Sequence, residues 1–244
     1  MPYALGKSPA QRDPRNLLMG ALFTKAPAPP VAYDVDDNRP TVPTPMFAND
    51  ELGCCVISGR AHQTLRFERQ EQGRALTISD EDIKAEYFRQ TGGVDSGLVV
   101  LDSLKQWRKQ GWRAAGQNYK IRAFAEIRPS KTMELKRAIC ANLGVGIGLE
   151  LPLSAQRQLE RGLPWTTTRG DKAAPGSWGG HYVYVVGYTQ AGPVCITWGA
   201  RQPMSWRFFG RYCSEAYAIF DAPDLSQLPP GIDGAAVEQF LQQH

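Results

Sequence analysis

ANDELGCCVISGRAHQTLRFERQEQG, residues 48–73, is the stretch from which the fold is read. From Cys55 onward, Val56, Gly59, His62, Gln63 and Phe67 recur at helical spacing, and Gly73 closes the run. The spacing predicts a helix beginning at Cys55. A thiol in the first helical turn feels the positive end of the helix dipole, which lowers its pKa and favours the thiolate. Free cysteines are also commonly small buried hydrophobes. Cys54 and Cys55 therefore acquire chemical meaning only if a base lies within reach.

Outward from this helix the chain reads as helices first and strands later. Ser79 and Asp82 form a capping box for a second helix running to about Gln90. A third runs from near Leu98 to Gln110 and stops at Gly111. Residues 120–127 alternate as a strand, with Ile121, Phe124 and Ile127 facing inward. A helix over Thr132–Asn142 leads to the glycine-rich strand GVGIGLEL, 144–151, and Ser154 is expected to cap a short helix to Arg161. The long loop 162–180 is rich in Gly, Pro and Thr, a type of segment that often carries function. Strands HYVYVVGY (181–188), VCITWG (194–199) and EAYAIF (215–220) follow, with a helical turn within Pro203–Cys213. An amphipathic helix is expected over Ile232–Gln243. This order predicts an α+β protein with two lobes. The expected organisation is an arm (1–48), a body (49–221) whose helical part covers about 49–118 and whose β part covers about 119–221, and a tail (222–244). The arm is rich in proline (Pro27, Pro29, Pro30, Pro40, Pro43 and Pro45), so most of it is extended. Its apolar cluster Leu17, Leu18, Met19, Leu22 and Phe23 suits one short helix or strand docked on the body.

Bulk properties narrow the function. The 244 residues carry a net charge of +4, from 28 basic and 24 acidic residues scattered along the chain, which argues against a nucleic-acid binder. No run of 18 apolar residues predicts a membrane span, and the first residues lack the apolar core of a secretory signal, so a cytoplasmic protein is expected. The five cysteines (Cys54, Cys55, Cys140, Cys195 and Cys213) include no C-x-x-C pair; reduced thiols are expected, with no metal and no cofactor. There are three histidines. His244 is terminal. His62 shares a helix face with Cys55 but lies about 10 Å further along the axis, too far to act as its base. His181, which opens a strand after the glycine-rich loop, is the candidate base.

Together these pieces resemble the papain-like cysteine peptidases, over roughly residues 47–220. Gly53-Cys54-Cys55 matches the family's nucleophile segment, Asn49 stands six residues before Cys55 where the family has its oxyanion glutamine, and GGHYVYVVGY resembles the family's histidine strand. His181 follows Cys55 by 126 positions, near the expected separation. ITWG is similar to the family's Asn-Ser-Trp-Gly, with Trp198 and Gly199 in place. The sequence departs from the pattern at Ile196, which stands where the family has an orienting asparagine; Thr197 beside it is the substitute hydrogen-bonding partner. Val56 replaces an aromatic residue, and Leu52 replaces a disulfide cysteine. The segment around Cys55 looks closer to a prokaryotic and phage-associated branch than to the lysosomal peptidases.

The resemblance implies a two-lobed papain-like fold, with a helical N-terminal lobe, an antiparallel β lobe and a cleft between them. It further implies a cysteine peptidase or amidase with Cys55 as nucleophile, His181 as base and Asn49 in the oxyanion hole. Trp178, Gly179, Gly180, Trp198 and Gly53 would line the substrate cleft. The substrate would be a peptide or protein, a cell-wall peptide if the gene is bacterial or phage-borne. A second reading from a different class is a non-catalytic papain-like module serving in binding or virion assembly, with the arm reaching a neighbouring subunit. A transglutaminase-like crosslinker is a third.

Overall fold

The computed structural model describes residues 3–24, 28–221, 228 and 231–243. The pieces of the tail and arm outside these ranges, with Pro27 and His244, lie outside the described residues. Within the arm, helix α1 (Met19–Leu22) buries Met19 and Leu22 in the core, and a short strand β1 (Tyr33–Asp34) joins the main sheet.

Two hydrophobic cores mark the two lobes. In the helical lobe, α2 (Cys55–Arg66) packs with α3 (Asp80–Thr91) and α4 (Val100–Gln110). The capping box at Ser79 and Asp82 starts α3, left-handed Gly92 ends it, and Gly111 ends α4. Helix α2 is buried along its whole length although it contains Arg60, His62, Gln63, Thr64 and Arg66. Such a helix persists only where most of its polar groups find partners. Arg60 pairs with Glu86 at 2.8 Å and donates to the Ser103 carbonyl at 3.0 Å, while Arg66 pairs with Asp36 at 2.9 Å.

The β lobe is a seven-stranded antiparallel sheet. Six of its strands run in the order β4 (Ala123–Glu126), β9 (Cys213–Phe220), β5 (Gly144–Leu151), β6 (Gly179–Tyr188), β7 (Pro193–Thr197) and β8 (Ala200–Pro203). Strand β1 pairs with the far end of β6, where β5 has already ended. Helices α5 (Thr132–Cys140), α6 (Leu153–Glu160) and α7 (Trp206–Tyr212) flank this sheet. The glycines of β5 serve packing: a side chain at Gly146 would collide with the Tyr182 ring, and that ring also lies against Gly59 of α2. The two lobes thus interlock where β6 meets the start of α2.

Several local expectations are corrected. Ser154 does not cap α6. The helix starts two residues earlier, after Pro152, which places Ser154 inside the first turn with its hydroxyl buried and unpaired, while Ser177 accepts from the Leu153 amide at 3.0 Å. A hairpin, β2 (Trp112–Ala114) with β3 (Gln117–Tyr119), follows α4; its two-residue turn uses Ala115 and Gly116, both at positive φ. Past Arg66, the first long helix widens into a π turn over Phe67–Glu71. The last helix, α8 (Gly234–Gln243), begins two residues later than the apolar pattern suggests, because Asp233 accepts from the Ala236 amide.

Candidate active site

Cys55 opens α2 and is 1% exposed. Its sulfur accepts from the Tyr182 amide at 3.4 Å. The strand and the helix start are therefore in contact at the residue directly after His181. His181, also 1% exposed, is fixed from two sides: its Nε2 lies 2.6 Å from the Thr197 hydroxyl, and its ring stacks on Trp198 with centroids 4.0 Å apart and planes 7° from parallel. Its other nitrogen, Nδ1, is buried and makes no hydrogen bond. Ile196 is buried in the core and offers no side-chain polar group. Trp198 adopts φ of 44°, a left-handed conformation that bulky residues rarely hold, and Gly199 follows at 75°.

The remaining sequence-predicted residues gather around the same place, and so does the arm. Residues 3–8 run through the groove between the lobes. Lys7 forms a parallel bridge with Leu98 on one wall, with Leu98 N donating to Gly6 O at 2.8 Å and Ser8 N donating to Leu98 O at 2.9 Å. On the other wall Lys7 N donates to Gly180 O at 3.1 Å, and Leu5 lies against Gly179. The Asn49 side chain and the Trp198 indole both donate to Ala4 O, each at 3.3 Å; Asn49 Nδ2 also donates to Leu52 O at 3.0 Å. Gly53 packs against Gly6, and its amide donates to Asp95 at 3.1 Å. Trp178 borders the groove in a cluster of three rings, with Tyr3 against both Trp178 and Trp198 and the two tryptophans 5.4 Å apart.

The electrostatics differ from the sequence expectation of a lowered thiol pKa. Burial pushes the Cys55 thiol up, against the pull of the Tyr182 and Gly6 amides and the nearby Lys7 charge. Burial likewise pulls His181 down to about 3. With the arm in place the thiol and the imidazole are both neutral. Cys54, the alternative nucleophile, faces away: its sulfur lies 3.4 Å from the Phe47 carbonyl, and burial pushes it up to about 12. His62 packs on Phe47 inside the helical lobe, as a core histidine.

The chain's shape matches solved cysteine proteases. Xylellain, a cysteine protease from Xylella fastidiosa, aligns with a TM-score of 0.67 over 90% of this chain and 97% of that one, at 17% identity. A Trypanosoma congolense procathepsin B gives 0.60 over 90% and 87%, at 13% identity. A Carica candamarcensis cysteine protease, solved in complex with E-64, gives 0.57 over 79% and 99%, at 15% identity. The chain has the papain-like fold. No family model matches the sequence, and no curated protein matches it. In the papain-like frame, helical and β lobes meet along the groove that holds Cys55, His181, Thr197 and Trp198.

Sequence reasoning missed three residues of this groove: Lys7, Glu150 and Glu215. The last two carried a signal. Glu150 is the one charged residue in GVGIGLEL, and Glu215 is the one charged residue in EAYAIF. A carboxylate in an otherwise apolar strand calls for a partner. No helix among the described residues is long and apolar enough to cross a membrane, and no group of His, Cys, Asp and Glu among them could hold a metal ion.

Proposed function

We propose that this chain is a cysteine peptidase or amidase that cleaves peptide bonds by acyl transfer to Cys55. The observation that carries this reading is a helix-start sulfur held 3.4 Å from the amide of Tyr182, the residue directly after an imidazole that Thr197 and Trp198 fix and whose Nδ1 makes no hydrogen bond. Once the groove opens to solvent, the desolvation that keeps both groups neutral is relieved. The thiol proton then passes to His181 Nδ1. The thiolate attacks the amide carbonyl carbon, His181 returns that proton to the leaving amine as the C–N bond breaks, and water hydrolyses the thioester to regenerate the thiol. Asn49 Nδ2, which already donates to a peptide carbonyl of the arm, is the side-chain donor for the developing oxyanion.

The arm turns the Gly6 amide N–H to the sulfur and so covers Cys55. That cover is also the observation favouring the second reading, a non-catalytic module whose groove is permanently filled. Hydrolysis of a broad peptide library separates the two. Under the peptidase reading, Cys55→Ala and His181→Ala each lower kcat/KM at least a thousandfold, while Cys54→Ala retains activity. Absence of turnover by every form, with Cys55 and Cys54 equally slow towards an alkylating agent, leaves the binding module.

A further inference from the structure

The arm also fills a pocket in the β wall. The Lys7 side chain is 0% exposed, and its ammonium lies 2.8 Å from Glu150 Oε1 on β5 and 3.3 Å from Glu215 Oε1 on β9. It also donates to Ser8 O at 3.0 Å. The pocket is shaped for this stem: Gly148, opposite Glu215 in the ladder, has no side chain, and a Cβ there would collide with Lys7 Cε. Ser214 Oγ donates to Glu150 Oε1 at 3.2 Å and steadies that carboxylate. Glu215 is 5% exposed, neither of its oxygens takes a hydrogen bond of good geometry, and among the described residues no cation but Lys7 pairs with it or with Glu150. Two carboxylates therefore share one guest ammonium. When the arm leaves, the buried Glu215 carboxylate loses its counter-charge and must take up either a proton or another cation. An apolar side chain in the same space would leave the carboxylates unpaired, and a site with unpaired buried polar groups discriminates strongly against the ligand that leaves them so.

We propose that the Glu150–Glu215 pocket selects a lysine or arginine side chain on the peptide that occupies the groove, with Lys7 holding that place in the closed form. This rests on the peptidase reading for its catalytic consequence, but not for the binding itself. The test uses the full chain carrying Lys7→Ala, which empties the pocket, and a positional-scanning peptide library. At one position relative to the cleaved bond, kcat/KM for lysine or arginine should exceed that for norleucine by at least tenfold. Adding Glu215→Gln, which preserves size, should lower that ratio at least tenfold. No basic preference at any position, or one that survives Glu150→Gln combined with Glu215→Gln, overturns the proposal.

If no peptide is cleaved, the peptidase reading fails and the pocket is judged by calorimetry on full-length Cys55→Ala, Lys7→Ala. Acetyl-Ala-Leu-Gly-Lys-Ser-Pro-amide should bind at least ten times more tightly than the same peptide with norleucine for lysine. Equal affinities, or binding of neither peptide, overturn the proposal.

Discussion

On the helical wall of the groove, Cys55 is placed by a single helix whose buried flanks are held by charge; on the β wall, His181 is placed by a strand whose flanks are held by backbone pairing and apolar packing. Helix α2 depends on Arg60 reaching Glu86 and Ser103 across the Trp107 ring, and on Arg66 reaching Asp36. Strand β6 is paired on both sides, with Val183, Val185 and Val186 in the core. The difference teaches where each wall is vulnerable. A helix buried through ion pairs fails when one partner is removed, because the other charge stays behind in low dielectric. A paired central strand tolerates a polar change at its edge, so at His181 the exposed weakness is orientation rather than folding.

The sharpest way to break this contrast is Arg60→Ala. It leaves Glu86 buried beside Arg89 and Gln90 and should cost roughly 3–5 kcal/mol, read as a lower urea midpoint at unchanged m-value. A loss below about 1 kcal/mol would mean that Arg89 and Gln90 suffice, and the helical wall would not depend on Arg60.

A smaller effect comes from acid. Burial pulls both His62 and His181 down to about 3, with the Arg66 charge adding to the effect on His62. Their folded pKa values lie below the unfolded value of about 6.5, so between these limits the unfolded chain binds more protons and stability falls as pH falls. Each histidine should remove roughly 2 kcal/mol at pH 5. Chemical denaturation at pH 7 and pH 5 should show this drop, and His62→Gln should remove about half of the histidine share. An unchanged pH slope in that variant would mean that His62 is accessible to protons in the folded state.

The smallest effect tests the β wall. Thr197→Val removes the hydroxyl 2.6 Å from His181 Nε2 while keeping the side-chain shape. Peptide hydrolysis should fall about tenfold, equivalent to about 1.4 kcal/mol in the transition state, with little change in urea midpoint. Thr197→Ser should recover most of the rate. If the valine variant instead unfolds at markedly lower urea, Thr197 holds the wall together and the contrast between the walls fails.

Much of the site was legible because its signals are local. A helix start at Cys55, a strand starting near His181 and a tryptophan followed by a glycine after β7 are each written within a few residues, and the capping box at Ser79 sets its helix without help from elsewhere. That the helix start at Cys55 meets the strand after His181 followed from resemblance, since nothing local in either segment determines it. What stayed hidden depends on distant pairing. The course of the arm through the groove rests on backbone bonds from residues 4–8 to Asn49, Leu98 and Gly180. The thiol's raised pKa is a consequence of burial, which no helix-dipole argument contains. The hairpin after α4 has strands of three residues each, too short for an alternating pattern to emerge.

Where the arm crosses the start of α2, Gly6 and Gly53 lie back to back, and Gly97 touches the same peptide from the far side. A methyl group on Gly6 would run into the Gly53 carbonyl, and one on Gly97 would run into the Gly6 carbonyl. The passage is thus gauged to the thickness of naked main chain at a single rung, so the fit of any strand threaded there is decided by one missing carbon.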